Sequence, residues 1–254
     1  MQYTVLNKPC KRLYFPKTEN PEEMQEVMKL NDYFPNFSHQ IRSIFLLEAE
    51  IEDLFLTVEP STLNMKTYGL KIFSLFIRTC IEFESVCKQI IVNNKYKKKP
   101  NYLKIEDYKL LSKIYPLSKY KLKLVQNDEI EFSPFDDWDL DKSLSWYQTY
   151  GKVKHNSFEQ LPNATLENLL NAIAAVRIII YMQTWWEQNI FLPGGTLKDF
   201  IEGYPFNFGT RKSIFNISQY PQESDFRYRY DFNWEELKED SIIFEPFDFD
   251  SVKA

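Results

Sequence analysis

Between Ile72 and Ile91 the apolar residues Ile72, Phe73, Phe76, Cys80, Phe83, Val86, Cys87, Ile90 and Ile91 recur at intervals of three and four, while Arg78, Glu82, Glu84 and Lys88 fall on other faces. Side chains of a strand alternate every second residue, so this period specifies a helix with one apolar stripe. A stripe of that length must meet another of similar size. The best match is Leu166, Leu169, Leu170, Ile173, Ala174, Val176, Ile180 and Tyr181, a second stripe that Pro193-Gly194-Gly195 brings to a close. The two helices are expected over 62–93 and 165–188, and they are expected to pack through Phe76, Cys80, Phe83, Leu169, Ile173 and Val176.

The remaining chain is read around that pair. Ser38 is placed to cap a helix whose spaced positions Ile41, Ile44, Phe45, Leu47, Glu48, Ile51, Leu54 and Phe55 lead up to Pro60. Pro9, Pro16, Pro21 and Pro35 leave residues 1–37 as an irregular arm with one short helix over 22–30. A shorter helix is expected over 104–115, ended by Pro116. Alternation around Asn127-Asp128 suggests a small hairpin within 120–132. Asp139 or Asp141 is placed to cap a further helix running through Trp146 and Tyr150 to about residue 154. From 193 to 254 the chain reads as irregular and aromatic, with short helices at 196–201 and 234–239. The expected fold class is therefore mainly α: a helical bundle of long amphipathic helices at 38–192, with a small β-hairpin or irregular insertion at 95–135. The arm at 1–37 precedes it, and the aromatic C-terminal extension at 193–254 packs on it.

The most apolar segment, 172–186, is interrupted by Arg177 and Gln183 and falls short of the ~20 residues a membrane span needs. The opening residues mix polar and apolar types with Lys8, Pro9, Lys11 and Arg12. The expectation is no membrane association, no cleaved leader and a cytoplasmic location. Cys10, Cys80 and Cys87 are widely spaced. The last two sit two helical turns apart, ~10 Å along the axis and beyond disulfide reach, so both are expected reduced and buried. With His39 and His155 as the two histidines, no metal and no cofactor is expected. There is no Gly-rich phosphate loop, GxSxG elbow or HExxH.

Two features carry candidate chemistry. His155 follows Trp146-Tyr147-Gln148-Thr149-Tyr150-Gly151-Lys152-Val153-Lys154, and Lys152 lies three residues before it. Helical spacing puts that lysine and the imidazole on one side, with Lys154 adjacent, a corner suited to a phosphate. The competing reading is that the lysines are solvated and His155 completes a helix C-terminus, where positive charge is favoured. His39, just after Ser38, reads as a surface residue. The second feature is charge segregation. From Lys88 to Lys123 every charged residue but Glu106 and Asp107 is lysine, interleaved with Tyr96, Tyr102, Tyr108, Tyr115 and Tyr120, whereas acids dominate 230–254. Lys95, Lys97, Lys98 and Lys99 with Tyr96 are the candidate RNA-binding residues, since lysine neutralises phosphate and aromatic rings stack on bases. The alternative is a solvated connector, in keeping with a net charge of −5.

The run Trp146-x3-Tyr150-x-Lys152-Val153-Lys154-His155-Asn156, followed by Ala164-Thr165-Leu166-x2-Leu169-Leu170-x-Ala172, resembles the Trp-x-x-Tyr-Asn-x-Val-Lys-His pattern of bacterial HEPN-like proteins. Arg78-x3-Glu82-x-Glu84 is similar to the acidic helix beside that motif, and the likeness spans about 62–186. The resemblance implies a helical bundle that dimerises, or pairs with a cognate protein. It implies RNA as partner and membership of a toxin–antitoxin or antiviral defence system. Many members are metal-independent ribonucleases, which would make His155 the proton-transfer residue and Lys152, Lys154 or Arg78 the cation, with Tyr150 beside them. In the family four to six residues lie between an arginine and the histidine. Here Gln148, Thr149 and Tyr150 occupy that window. The alternative expectation is a non-catalytic helical interaction protein with a structural His155.

Overall fold

The long apolar stripes do meet: in the computed structural model α2 (Leu70–Val92) packs along α8 (Leu166–Tyr181), with Phe76, Cys80, Phe83, Leu169, Ile173 and Val176 all buried. Residues 3–16, 33–183 and 213–252 are described, and the protein is mainly α-helical. Helix α1 (Phe37–Phe55) lies against both α2 and α8, and α6 (Ser145–His155) covers another side of the same pair. Four short helices connect these elements: α3 (Ile105–Tyr108), α4 (Leu110–Ile114), α5 (Asp136–Asp139) and α7 (Ser157–Gln160). A further one, α9 (Trp234–Leu237), lies near the C-terminus.

Several boundaries differ from expectation, each for a local reason. α2 starts at Leu70 instead of Thr62 because the chain before it is fastened to α8: Leu166 N–H donates to Thr67 O (2.8 Å) and Glu167 N–H to Met65 O (3.0 Å). Ser38 is inside α1, whose N-cap is Asn36 in the left-handed region, and the helix ends at Phe55, before Pro60. The helix expected over 104–115 is two short pieces, since Asp107 accepts from the Lys104 N–H (2.8 Å) and closes a turn of its own. Neither Asp139 nor Asp141 caps α6. Asp137 does so, accepting from Ser145 N–H at 2.8 Å. Thr165 caps α8, its hydroxyl accepting from Asn168 N–H. The predicted stretches 22–30, 184–188 and 196–201 and the Pro193–Gly195 stop lie outside the described residues.

The hairpin is present as β2 (Lys121–Leu124) and β3 (Glu131–Phe132), paired antiparallel with Leu122 opposite Phe132 and Lys123 opposite Glu131. On the other edge of β2 the structure adds β4 (Phe215–Gln219), with Leu122 opposite Ile217 and Leu124 opposite Phe215, in the order β3-β2-β4. The two flanks also pair with each other. β1 (Thr4–Leu6) runs parallel to β5 (Tyr228–Tyr230), with Leu6 opposite Tyr230. The Tyr230 hydroxyl accepts from Cys10 N–H (2.9 Å) and donates to Leu13 O (2.5 Å). Phe15 sits in an aromatic nest of Tyr115, Tyr228, Tyr230 and Phe247, with centroids 5.2–6.1 Å away. Residues 3–16 and 213–252 thus belong to the same buried core as the helices.

Candidate functional site

Helix α6 carries the sequence SWYQTYGKVKH, and its buried residues Trp146, Tyr150 and Val153 follow one another at intervals of four and three. Trp146 donates its indole N–H to Pro134 O (3.0 Å) and stands edge-on to Phe83 of α2 at 5.1 Å. Tyr150 packs edge-on to Phe76 of α2. With that face fixed, the basic last turn of Lys152, Lys154 and His155 projects from the C-terminal end, where the helix dipole favours positive charge. Asn156 ends the helix, its N–H bonding Lys152 O at 3.1 Å. His155 is solvent-exposed, as is Lys152 one turn before it.

The two lysines separate. At 100° per residue, Lys152 shares a face with Ser145 and Thr149, whereas Lys154 is on the opposite one. There its ammonium lies over the ring of Tyr150, 5.1 Å from the centroid, a cation–π contact that leaves the buried Tyr150 hydroxyl without a hydrogen bond. Tyr150 is therefore a packing residue and Lys152 the cation nearer His155 around the helix.

Arg78 is committed elsewhere. Its guanidinium forms a two-pronged pair with Glu50 of α1 (2.6 and 2.7 Å), which raises its pKa, and Glu82 on the same flank accepts from Ser43 of α1 at 2.8 Å. The α6 side of α2 is instead marked by Glu84, which accepts from the Tyr147 hydroxyl at 2.5 Å. Burial and then Glu84 push the Tyr147 phenol far up, so it stays a donor. Lys152 and His155 lie one turn apart on α6, both exposed, and Arg78 is on the other flank of α2. His39 is exposed on α1.

The basic run is partly spent inside the fold. Lys95 pairs with Asp248 (3.1 Å), its N–H donates to Phe247 O (2.9 Å) and its carbonyl accepts from Phe249 N–H (2.9 Å). Lys98 pairs with Asp107 (2.5 Å), a carboxylate only 3% exposed that also accepts from the Tyr96 hydroxyl (2.7 Å). Tyr96 then packs edge-on against Phe249. Lys95 thus ties the basic stretch to the acidic tail, while Lys98 is paired with an acid of the basic stretch itself. Lys97 and Lys99 are exposed and carry no ion pair among the described residues.

Two groupings escaped the sequence. Glu48 of α1 and Arg177 of α8, 2% and 4% exposed, form a bidentate pair (3.0 and 2.6 Å), to which Ser213 adds a bond at 3.2 Å. The signal was present, since each is a charge on an otherwise apolar helical face. The second is a cleft of about 560 Å³ between α6, the start of α8 and residues 66–68, lined by Ser145, Thr149, Tyr68 and three asparagines of 163–171 among others. Among the described residues no group of His, Cys, Asp and Glu has metal-binding geometry, and no helix is long and apolar enough to cross a membrane. Compared with models of protein families, with characterised proteins and with solved structures, the chain matches none.

Proposed function

We propose that this chain is a HEPN-like helical bundle that binds RNA and cleaves it without metal, in the manner of toxin or phage-defence ribonucleases. The observation that carries the reading is the exposure of His155 and Lys152, one turn apart at the free end of α6, with α6 itself clamped to α2 and α8. The contact of Tyr147 with Glu84 is in keeping with an acidic helix beside the motif. In the proposed reaction neutral His155 takes the proton of a ribose 2′-hydroxyl. The 2′ oxygen attacks the adjacent phosphorus and the bond to the 5′ oxygen breaks. A 2′,3′-cyclic phosphate and, after protonation from solvent, a 5′-hydroxyl result. Lys152 stabilises the charge gathered on the phosphate oxygens, though as an ammonium it lacks the two-pronged fit of guanidinium. Lys97 and Lys99 extend the phosphate contacts.

The test is incubation of purified protein with labelled RNA in EDTA. Wild type should give cyclic-phosphate ends, and His155→Ala should lose about 10²–10⁴-fold in rate with an unchanged circular dichroism spectrum. Lys152→Ala should lose less. Full activity of a folded His155→Ala protein removes the histidine from the mechanism, and absence of cleavage by wild type leaves binding alone.

A second reading, a non-catalytic protein that docks a partner or a second copy, is favoured by one observation. Leu70 and Ile81 of α2 are 75% and 52% exposed, and with half-buried Phe73 and Ile77 they form an apolar line at helical spacing. Sedimentation of wild type against Leu70→Glu/Ile81→Glu separates the two readings: a dimer lost in the variant, with no RNA bound or cut by either, selects the second.

A further inference from the structure

The cleft beside α6 is built to take an uncharged, hydrogen-bonding ligand. Its floor is the start of α8, but the amide donors usually offered to an anion there are used: those of Leu166 and Glu167 by Thr67 and Met65 carbonyls, and that of Asn168 by the Thr165 hydroxyl. Glu167, paired with Lys66 at the rim, opposes an anion further. What remains is neutral. Asn163, Asn168 and Asn171 each spend one amide N–H within the protein, on Gln160 Oε1, Asn163 O and Glu167 O at 2.7–2.9 Å. Each keeps a side-chain carbonyl and a second N–H with no partner among the described residues. Such amides match the paired donors and acceptors on a nucleobase edge. The Tyr68 ring, 52% exposed, supplies a stacking face, and Ser145 and Thr149 supply hydroxyls.

Two residues of the cleft, Ser145 and Thr149, belong to the same helix as Lys152 and His155. Ser145, Thr149 and Lys152 lie on one face of α6, and His155 follows ~9 Å along the axis from Thr149 and about a third of a turn around it. Resting on the RNA reading above, we propose that this cleft is the base subsite: it holds the base and ribose of one unpaired nucleotide, stacked on Tyr68 and read by Asn168 and Asn171. The neighbouring phosphate is thereby directed to Lys152 and His155.

The test uses the free nucleosides adenosine, guanosine, cytidine and uridine, which carry no phosphate, in calorimetric or NMR titrations, with ribose as control. At least one nucleoside should bind wild type. Tyr68→Ala should weaken it tenfold or more, Tyr68→Trp should restore it, Asn168→Ala should weaken it, and Lys152→Ala and His155→Ala should leave it unchanged. If no nucleoside binds, if ribose binds as well, or if Tyr68→Ala binds like wild type, the subsite is overturned. RNA cleavage through His155 in that same preparation keeps the proposed function. If nucleosides bind through Tyr68 while oligonucleotides are neither bound nor cut, the proposed function falls, and with it the base subsite as part of an RNA track.

Discussion

Glu48 and Arg177 are a buried, bidentate ion pair. Burial pushes the Glu48 carboxyl up, against the pull of Arg177 and Ser213. Replacing one partner strands the other charge in the core, so Glu48→Ala or Arg177→Ala should cost about 3–5 kcal/mol in urea unfolding. The double replacement Glu48→Leu/Arg177→Met should recover most of that loss. A double variant as unstable as the singles would show that the pair does more than neutralise itself. Asp107 behaves differently. Burial works to raise its carboxyl, but hydrogen bonds from Lys98, Tyr96 and the Lys104 N–H outweigh that and hold it below its ordinary 3.8. A carboxylate depressed in the folded state contributes stability above its unfolded value and loses it as pH falls through the lower folded value. Wild type should therefore weaken below about pH 4. Asp107→Asn should cost roughly 1–3 kcal/mol at neutral pH and flatten that acid limb of the pH–stability curve.

Among the elements, α6 is fixed by three aromatic and aliphatic anchors but contains an unneeded weakness. Gly151 sits mid-helix, and a Cβ there would meet nothing within 4 Å. Glycine in a helix interior costs about 0.8–1 kcal/mol relative to alanine, so Gly151→Ala should stabilise the protein by up to about that amount in thermal or urea melts. Because residue 151 lies between Tyr150 and Lys152, the same variant reports on the site: the RNA cleavage proposed above should be no weaker in it than in wild type, since neither Lys152 nor His155 is displaced. A destabilised Gly151→Ala protein would mean that α6 bends at this point during folding or function. The sheet shows the opposite dependence. β2 and β3 alone are a two-stranded hairpin, a unit that is marginal in water. β4 supplies the third strand, and Phe215 stands edge-on to Phe132 at 5.7 Å.

For the whole molecule, the pairing of its two flanks decides how closed the core is. Cys80 and Cys87 are buried between helices, but Cys10 is buried because Tyr230 and the C-terminal segment close over it, and burial pushes its thiol up to about 12. All three cysteines should resist a thiol reagent in native protein and react together in denaturant. In Tyr230→Phe, which loses the bonds to Cys10 N–H and Leu13 O, Cys10 should become reactive well before Cys80 and Cys87. Simultaneous exposure of all three would show that the flanks open only with the helical core.

The sequence by itself determined the two long apolar helices and their mutual packing, because a 3.6-residue stripe of large side chains has few ways to leave water. It also determined the hairpin around Asn127-Asp128, a local turn between short alternating segments, and the burial of Cys80 and Cys87. Tertiary structure alone decided the rest, since these contacts join residues far apart in the chain: β1 on β5, β4 on β2, Glu48 with Arg177, and Lys95 with Asp248. The same holds at the candidate site. Residue type and spacing singled out Lys152 and His155. The dismissal of Arg78 to Glu50, the turning of Lys154 onto Tyr150 and the opening of the cleft at Tyr68 depend on which helix faces which. No local pattern encodes that, because it is set by how the stripes of α1, α2, α6 and α8 share one core.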